Sequence, residues 1–221
     1  MSGIVTILGS FMTDLISYTK VMPQIGETVI GKKFTLGAGG KGSNQAVAAA
    51  RLGAKVNLIV KIGEDQFGDI ALKTYETENI DTTYVFRDKG NMSGVANIFV
   101  DESGHNVIVI VPGANNTLQP VDLEPALKVI KNCDVFLAQL EIPIETVEKG
   151  LKIAKSSGVI TILNPAPAVK LDDSIVKNVD IITPNETEAE ILTSIKVKEI
   201  REAKRVASAL KERGIGIVIL T

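Results

Sequence analysis

Six short apolar runs rich in β-branched residues punctuate the chain: IVTIL (4–8), VNLIV (56–60), VFLAQL (135–140), VITIL (159–163), VDIIT (179–183) and IGIVIL (215–220). They are continuous rather than alternating and are bounded by glycine, proline or polar residues. That is the pattern of strands buried on both faces, as the central strands of a parallel sheet are. Helical candidates lie between them, near 43–53, 66–78, 121–132, 144–156, 186–193 and 198–213. The last places Ile200, Ala203, Val206, Ala207 and Leu210 at helical spacing. Strands alternating with helices predict an α/β fold, a doubly wound and mostly parallel sheet flanked by helices. At 221 residues, one large domain with a small appendage fits the length.

Two stretches interrupt the alternation. Residues 15–36 and 92–111 carry strand patterns and no helix, and in the second ANIFV and NVIVIV flank the polar turn DESGH, a hairpin signal. Antiparallel strands inserted into a parallel core predict a small β lid beside the carboxyl ends of the strands, where ligands of open α/β sheets bind.

Bulk properties narrow the function. A net charge of −2, 4% aromatic residues and no tryptophan supply neither a cationic surface nor a stacking platform for nucleic acid. One cysteine, Cys133, and one histidine, His105, exclude an internal disulfide and any metal site built from cysteine or histidine pairs. Both read as structural. The sequence has no basic leader and no 18-residue apolar span, which points to a cytoplasmic protein with no membrane partner. The Asn-x-Ser/Thr matches at Asn91, Asn115 and Asn185 read as coincidence there.

The richest segment is GAGGKGSNQAVAAARLGA, residues 37–54. Gly37, Gly39 and Gly42 formally match the dinucleotide fingerprint G-x-G-x-x-G, which would make the chain a dinucleotide-dependent enzyme. Against that, the segment is not the first strand-to-helix turn, Lys41 sits inside the loop, and no acidic residue closes the next strand. A Walker A loop fails too, because Lys41 precedes Gly42 instead of following it. What remains is a glycine loop opening a helix, with Lys41, Ser43, Asn44 and Gln45 clustered on it. Crowded donors and acceptors of this kind suit a small hydroxyl-rich ligand. A tight turn followed by a polar first helical turn accounts for the same pattern.

The ordered series GSFMTD (9–14), GETV (26–29) with GKKF, the glycine segment, GEDQFG (63–68), GANN (113–116), QLEIP (139–143), NPAPA (164–168) and TPNETEAEILT (183–193) resembles the ribokinase family of carbohydrate kinases. The resemblance runs from residue 4 to residue 221. It implies an ATP-dependent kinase that phosphorylates D-ribose at O5, with Mg2+ and K+ as ions and a homodimer formed through the lid. It implies a sugar site made by Met12, Thr13 and Asp14, the loop Gly40, Lys41, Gly42, Ser43 and Asn44, and Glu141. It also implies that Asn185 belongs to the nucleotide site, that Glu188 places magnesium, directly or through water, and that Thr221 starts the nucleotide loop. Asp14, Glu141 and Asn185 each follow an apolar run and are expected at one edge of the sheet. Each has a plainer reading: Asp14 as a cap, Glu141 as a loop carboxylate, and Asn185 with Glu188 as a helix capping box.

Two departures qualify the resemblance. Met12 stands where bacterial members of the family usually carry a polar asparagine, which removes one hydrogen bond to a sugar. The family's Gly-Ala-Gly-Asp motif, whose aspartate is the general base, does not occur in the 221 residues. The expectation is therefore an incomplete ribokinase-like α/β domain over 1–221, a fragment or truncated form with no catalytic residue of its own. The alternatives are an inactive sugar- or nucleotide-binding protein, or a related kinase acting on another sugar or nucleoside.

Overall fold

The computed structural model describes residues 3–221. Its body is a seven-stranded parallel sheet made of β1 (Ile4–Leu8), β4 (Lys55–Gly63), β5 (Val85–Asp88), β8 (Val135–Ala138), β9 (Ile160–Leu163), β10 (Ile181–Ile182) and β11 (Ile217–Val218), in the order β11-β10-β9-β8-β1-β4-β5. The apolar runs are continuous because both faces of these strands are covered. Ile7, Leu58 and Val60 join one buried cluster with Ala46 and Tyr75, while their neighbours Leu8 and Ile59 join another with Phe136, Val147 and Leu151. The helices that close the first face are α1 (Lys41–Arg51) and α2 (Gln66–Thr77); α3 (Leu127–Lys131) and α4 (Ile144–Ser156) lie over the second. Beyond them come α5 (Asp173–Val176), α6 (Glu186–Thr193) and α7 (Ile200–Glu212). Among the described residues no helix is long and apolar enough to cross a membrane.

A second sheet stands outside this body. Its strands are β2 (Met12–Tyr18), β3 (Lys33–Gly39), β6 (Gly94–Val100) and β7 (Asn106–Val111), in the order β3-β2-β6-β7. The β2–β3 and β6–β7 pairs are antiparallel, and β2 runs parallel to β6. Asp101 stops the β6–β7 turn by accepting the N–H groups of Ser103 and His105 and facing the His105 ring. His105 is thus a turn residue, and Cys133 is buried with its thiol on the Ile130 carbonyl.

Three local readings are corrected. The lid sheet begins at Met12, so Asp14 lies on a lid strand opposite Gly37 and Ala96, not at the carboxyl edge of the parallel sheet. Only the three residues Gly9–Phe11 separate β1 from β2, too short a break for apolar periodicity to register. Gly37 and Gly39 are strand residues of β3, leaving Gly40 alone as the turn into α1. The helix expected over 121–132 is a 3₁₀ segment, Pro120–Ala126, followed by the five residues of α3. Pro125 inside the segment cannot donate the backbone bond that a regular helix needs.

Candidate functional site

The chain winds from β1 through β4 to β5 on one side of the sheet, then from β8 through β9 and β10 to β11 on the other. The winding direction therefore reverses between β1 and β8, and the crevice at their carboxyl ends is where an open α/β sheet takes a ligand. Three segments meet there: Gly9–Phe11 after β1, Gln139–Pro143 after β8, and the turn from β3 into α1. The first and the last pack backbone to backbone, and Gln139–Pro143 reaches them through the side chains of Gln139 and Glu141. A Cβ on Gly42 would lie 2.5 Å from the Ser10 nitrogen, and one on Gly40, whose φ is +88°, would lie 2.7 Å from the Met12 nitrogen. Only glycine permits both the approach and the left-handed turn.

This closeness leaves the first turn of α1 without a cap of its own, because Gly40 has no side chain to give. Glu141 fills the position from the far side of the crevice. Its Oε2 accepts the Lys41 N–H at 2.8 Å and the Ser10 hydroxyl at 2.5 Å, and the Ser43 N–H reaches the Ser10 carbonyl at 2.9 Å. A carboxylate at a helix N-terminus is favoured by the helix dipole. No bond from the described residues to Oε1 of Glu141 accompanies these, so that oxygen is available to a ligand.

Glu141 also borders a cavity of about 320 Å³ whose other walls include Met12, Ile110, Pro112, Leu140 and Ile142. That volume lies at the small end for ligand pockets. Asp14 is next along β2 on the same face as Met12, with its carboxylate over Gly39, where a Cβ would fall 2.4 Å from its oxygens. Partial burial, and secondarily the charge of Glu141, push the Asp14 carboxyl above its ordinary range. Two carboxylates held close in a shielded place repel one another until something neutralises or hydrogen-bonds them.

The structure gathers Met12, Asp14, Gly40, Lys41, Gly42 and Glu141 about this crevice. Thr13 points the other way and is fully buried, as strand alternation requires. Ser43 is buried, and with Asn44 it borders a separate groove of about 630 Å³ between α1 and α2, next to Arg51 and Glu78. Ser10 and Ile110 are the residues that sequence reasoning passed over. Ser10 had a signal, a hydroxyl directly after an apolar strand; Ile110 had none beyond its place in an apolar hairpin.

Asn185 and Glu188 lie two strands away, after β10. They form a reciprocal capping box at the start of α6, with Asn185 Oδ1 accepting the Glu188 N–H at 2.8 Å and Glu188 Oε2 accepting the Asn185 N–H at 2.9 Å. The Thr221 N–H donates to the Pro184 carbonyl at 3.1 Å, so these three residues form one cluster. Two strand spacings separate it from the Glu141 end by about 10 Å. Among the described residues no group of three or more histidine, cysteine, aspartate or glutamate side chains is arranged to hold a metal.

The family model for pfkB family carbohydrate kinases matches residues 4–221. The deoxyribokinase of Salmonella typhi is 42% identical over 218 residues, 98% of this chain and 71% of its own. The ribokinase of Haemophilus influenzae is 42% identical over 221 residues, 100% of this chain and 72% of its own. The structure of Arabidopsis thaliana ribokinase complexed with ribose and ATP superposes with a TM-score of 0.92 at 26% identity, covering 100% of this chain and 72% of that one.

Proposed function

The chain belongs to the pfkB family of carbohydrate kinases, and on that premise we propose that it carries the sugar site and part of the nucleotide site of an ATP-dependent kinase acting at O5 of D-ribose. The observation that carries this reading is the crevice at the switch point, where Met12 and Glu141 line a small cavity beside the α1 N-terminus and the Asp14 carboxylate feels the charge of Glu141. Each carboxylate can accept hydroxyl protons, and a vicinal diol offers them in pairs. In the reaction, O5 forms a bond to the γ-phosphorus while the bond to the β-phosphate bridge breaks, and the O5 proton passes to a base. Catalysis of this kind is mainly positioning and charge stabilisation. Titration calorimetry with ribose tests the site: binding weakened about tenfold or more in Asp14→Asn supports it, and no heat in the unaltered protein overturns it.

The reading places ATP towards the carboxyl ends of β10 and β11, with Asn185 and Thr221 at its phosphates. Magnesium is usually held by one or two carboxylates together with phosphates and water. Glu188 fits that role because the capping box engages only one of its oxygens. Magnesium there would neutralise phosphate charge; potassium binding is expected from residues outside these 221. Glu188→Gln preserves the capping box, since glutamine can close it. The expected outcome is an unchanged melting temperature with weaker magnesium-dependent ATP binding. Equal loss of both would assign Glu188 to the helix alone. The exposed apolar residues of the lid, Phe34 and Leu36 on β3 and Val107 and Val109 on β7, suit association of two lids into a homodimer.

A second reading concerns the sugar. Met12 is buried on the cavity wall, where its thioether offers only a weak acceptor, so a pentose lacking one hydroxyl sacrifices little there. This favours 2-deoxyribose as an accepted or preferred substrate. Met12→Asn should raise the preference for ribose over 2-deoxyribose by the value of one hydrogen bond, ~0.5–1.5 kcal/mol, or about two- to tenfold. Competition calorimetry with the two sugars measures it, and an unchanged ratio removes Met12 from the specificity argument.

A further inference from the structure

Four chain crossings join the lid to the body: Gly9–Phe11, Gly40, Lys89–Ser93 and Pro112–Asn115. The third and fourth are fastened to each other, because the Ala114 N–H donates to the Met92 carbonyl at 2.8 Å. The third is also fastened to the body. Asp65, the N-cap of α2, accepts the Ser93 N–H at 2.7 Å and the Ser93 hydroxyl at 2.8 Å, and the Gly63 N–H reaches the same hydroxyl oxygen at 2.9 Å. Among the described residues, the first crossing, which leads directly into Met12 and Asp14, takes its side-chain hydrogen bonds to this assembly from one residue.

That side chain is Asn115, fully buried in the 3₁₀ turn Gly113–Thr117. Its Oδ1 accepts the Phe11 N–H at 2.9 Å, and its Nδ2 donates to the Phe11 carbonyl at 2.7 Å and to the Pro112 carbonyl at 2.8 Å. The amide thus pairs with both backbone groups of Phe11 as a neighbouring strand would, across 104 residues of sequence, and engages both its donors. Room for it comes from Gly94, where a Cβ would lie 2.4 Å from Asn115 Nδ2 and 2.9 Å from the Phe11 carbonyl oxygen. Phe11 is itself buried, edge-on to the Tyr75 ring with centroids 6.3 Å apart.

We infer that Asn115 is a positioning residue. It sets where β2 leaves the body, and through that the placement of Asp14 on the lid against Glu141 on the body. Asn115 does not reach the cavity; its neighbour Asn116 does, so the turn that clamps the lid also contributes to the wall. Burial places the clamp out of competition with water, where an amide with its donors satisfied holds a geometry firmly. This inference rests on the proposed sugar site for its consequence, but not for the clamp itself.

The consequence is tested by a double-mutant cycle between Asn115→Ala and Asp14→Asn, read as ribose affinity. Acting through Asp14, Asn115→Ala should weaken binding about tenfold in the otherwise unaltered protein and less than twofold where Asp14 is already asparagine. Equal losses in both backgrounds overturn the positioning role. The clamp is tested without sugar by hydrogen exchange: Asn115→Ala, or Asn115→Ser if alanine prevents folding, should speed exchange across Met12–Tyr18 tenfold or more while β1 and β4 keep their rates. Uniform acceleration of the body overturns it. In the unaltered protein the Phe11 amide should exchange together with the β2 amides and more slowly than those of residues 20–32. Phe11 exchanging at the rate of that loop sinks the clamp even if neither variant folds. A protein that binds no pentose while its lid exchanges as described would remove the proposed function and leave the clamp standing.

Discussion

Supplied with ribose, ATP, magnesium and potassium, these 221 residues are expected to release ADP no faster than the background. The expectation follows from the duties already assigned to the acidic groups near the crevice. Glu141 is engaged at the N-terminus of α1, Glu188 closes a capping box about 10 Å away by strand spacing, and in the proposed site Asp14 holds a hydroxyl and does not take the proton of O5. The family resemblance puts the base in a Gly-Ala-Gly-Asp motif that the sequence does not contain. The chain correspondingly spans 71% and 72% of the two curated relatives described above. A missing base forfeits ~10²–10⁴ in rate, and missing anion-hole donors ~10²–10³ more. Together these would bring a kinase turning over at ~1–100 s⁻¹ below one event per minute. A coupled assay of ADP release settles the point. Turnover within tenfold of the ordinary kinase range would mean that a base lies among these residues and that Asp14 or Glu141 has been given the wrong task.

Asp14→Asn should make the protein more stable and a poorer sugar binder, two effects of opposite sign that both fade as Asp14 becomes protonated on acidification. Partial burial and the nearby Glu141 charge raise the Asp14 carboxyl above the ordinary value of 3.8. A carboxyl raised on folding stabilises the fold below its unfolded value, and that contribution is lost as pH rises through the folded value. At neutral pH the ionised group is therefore a burden on the empty protein, and the amide removes it. The gain in melting temperature should be present at pH 7 and vanish as the pH falls below 3.8. Sugar binding changes with the opposite sign. The ionised carboxylate accepts hydroxyls in charge-assisted bonds worth ~1.5–3 kcal/mol each, so its loss should cost about tenfold or more in affinity. For the unaltered protein, affinity should begin to fall on acidification at a higher pH than an unperturbed aspartate would dictate. Thermal melts and calorimetry across pH 3.5–8 read both quantities. Lower stability together with lower affinity at neutral pH would mark Asp14 as a structural lid residue.

Local sequence was sufficient wherever the governing interactions are local or the burial is uniform. The strands of the parallel sheet were legible because both of their faces are covered, which leaves an unbroken apolar run. The capping box of Asn185 and Glu188 was legible because its partners are three residues apart. The ordered glycine and acidic motifs carried the resemblance to a carbohydrate kinase family, to which the chain belongs. Other features depended on residues brought together from far apart. Asp14 reads as the end of a core strand, and only the turn of the chain out of the body at Gly9–Phe11 moves it onto the lid. Glu141 reads as a loop acid, but it caps a helix that begins 100 residues earlier. The GANN motif marks Asn115, but nothing local tells what it bonds, since its partner Phe11 is 104 residues away. Periodicity and capping patterns record how a residue meets its neighbours along the chain. The Asp14–Glu141 pair and the Asn115–Phe11 bonds join segments far apart in the chain, which only the folding of the sheet brings together.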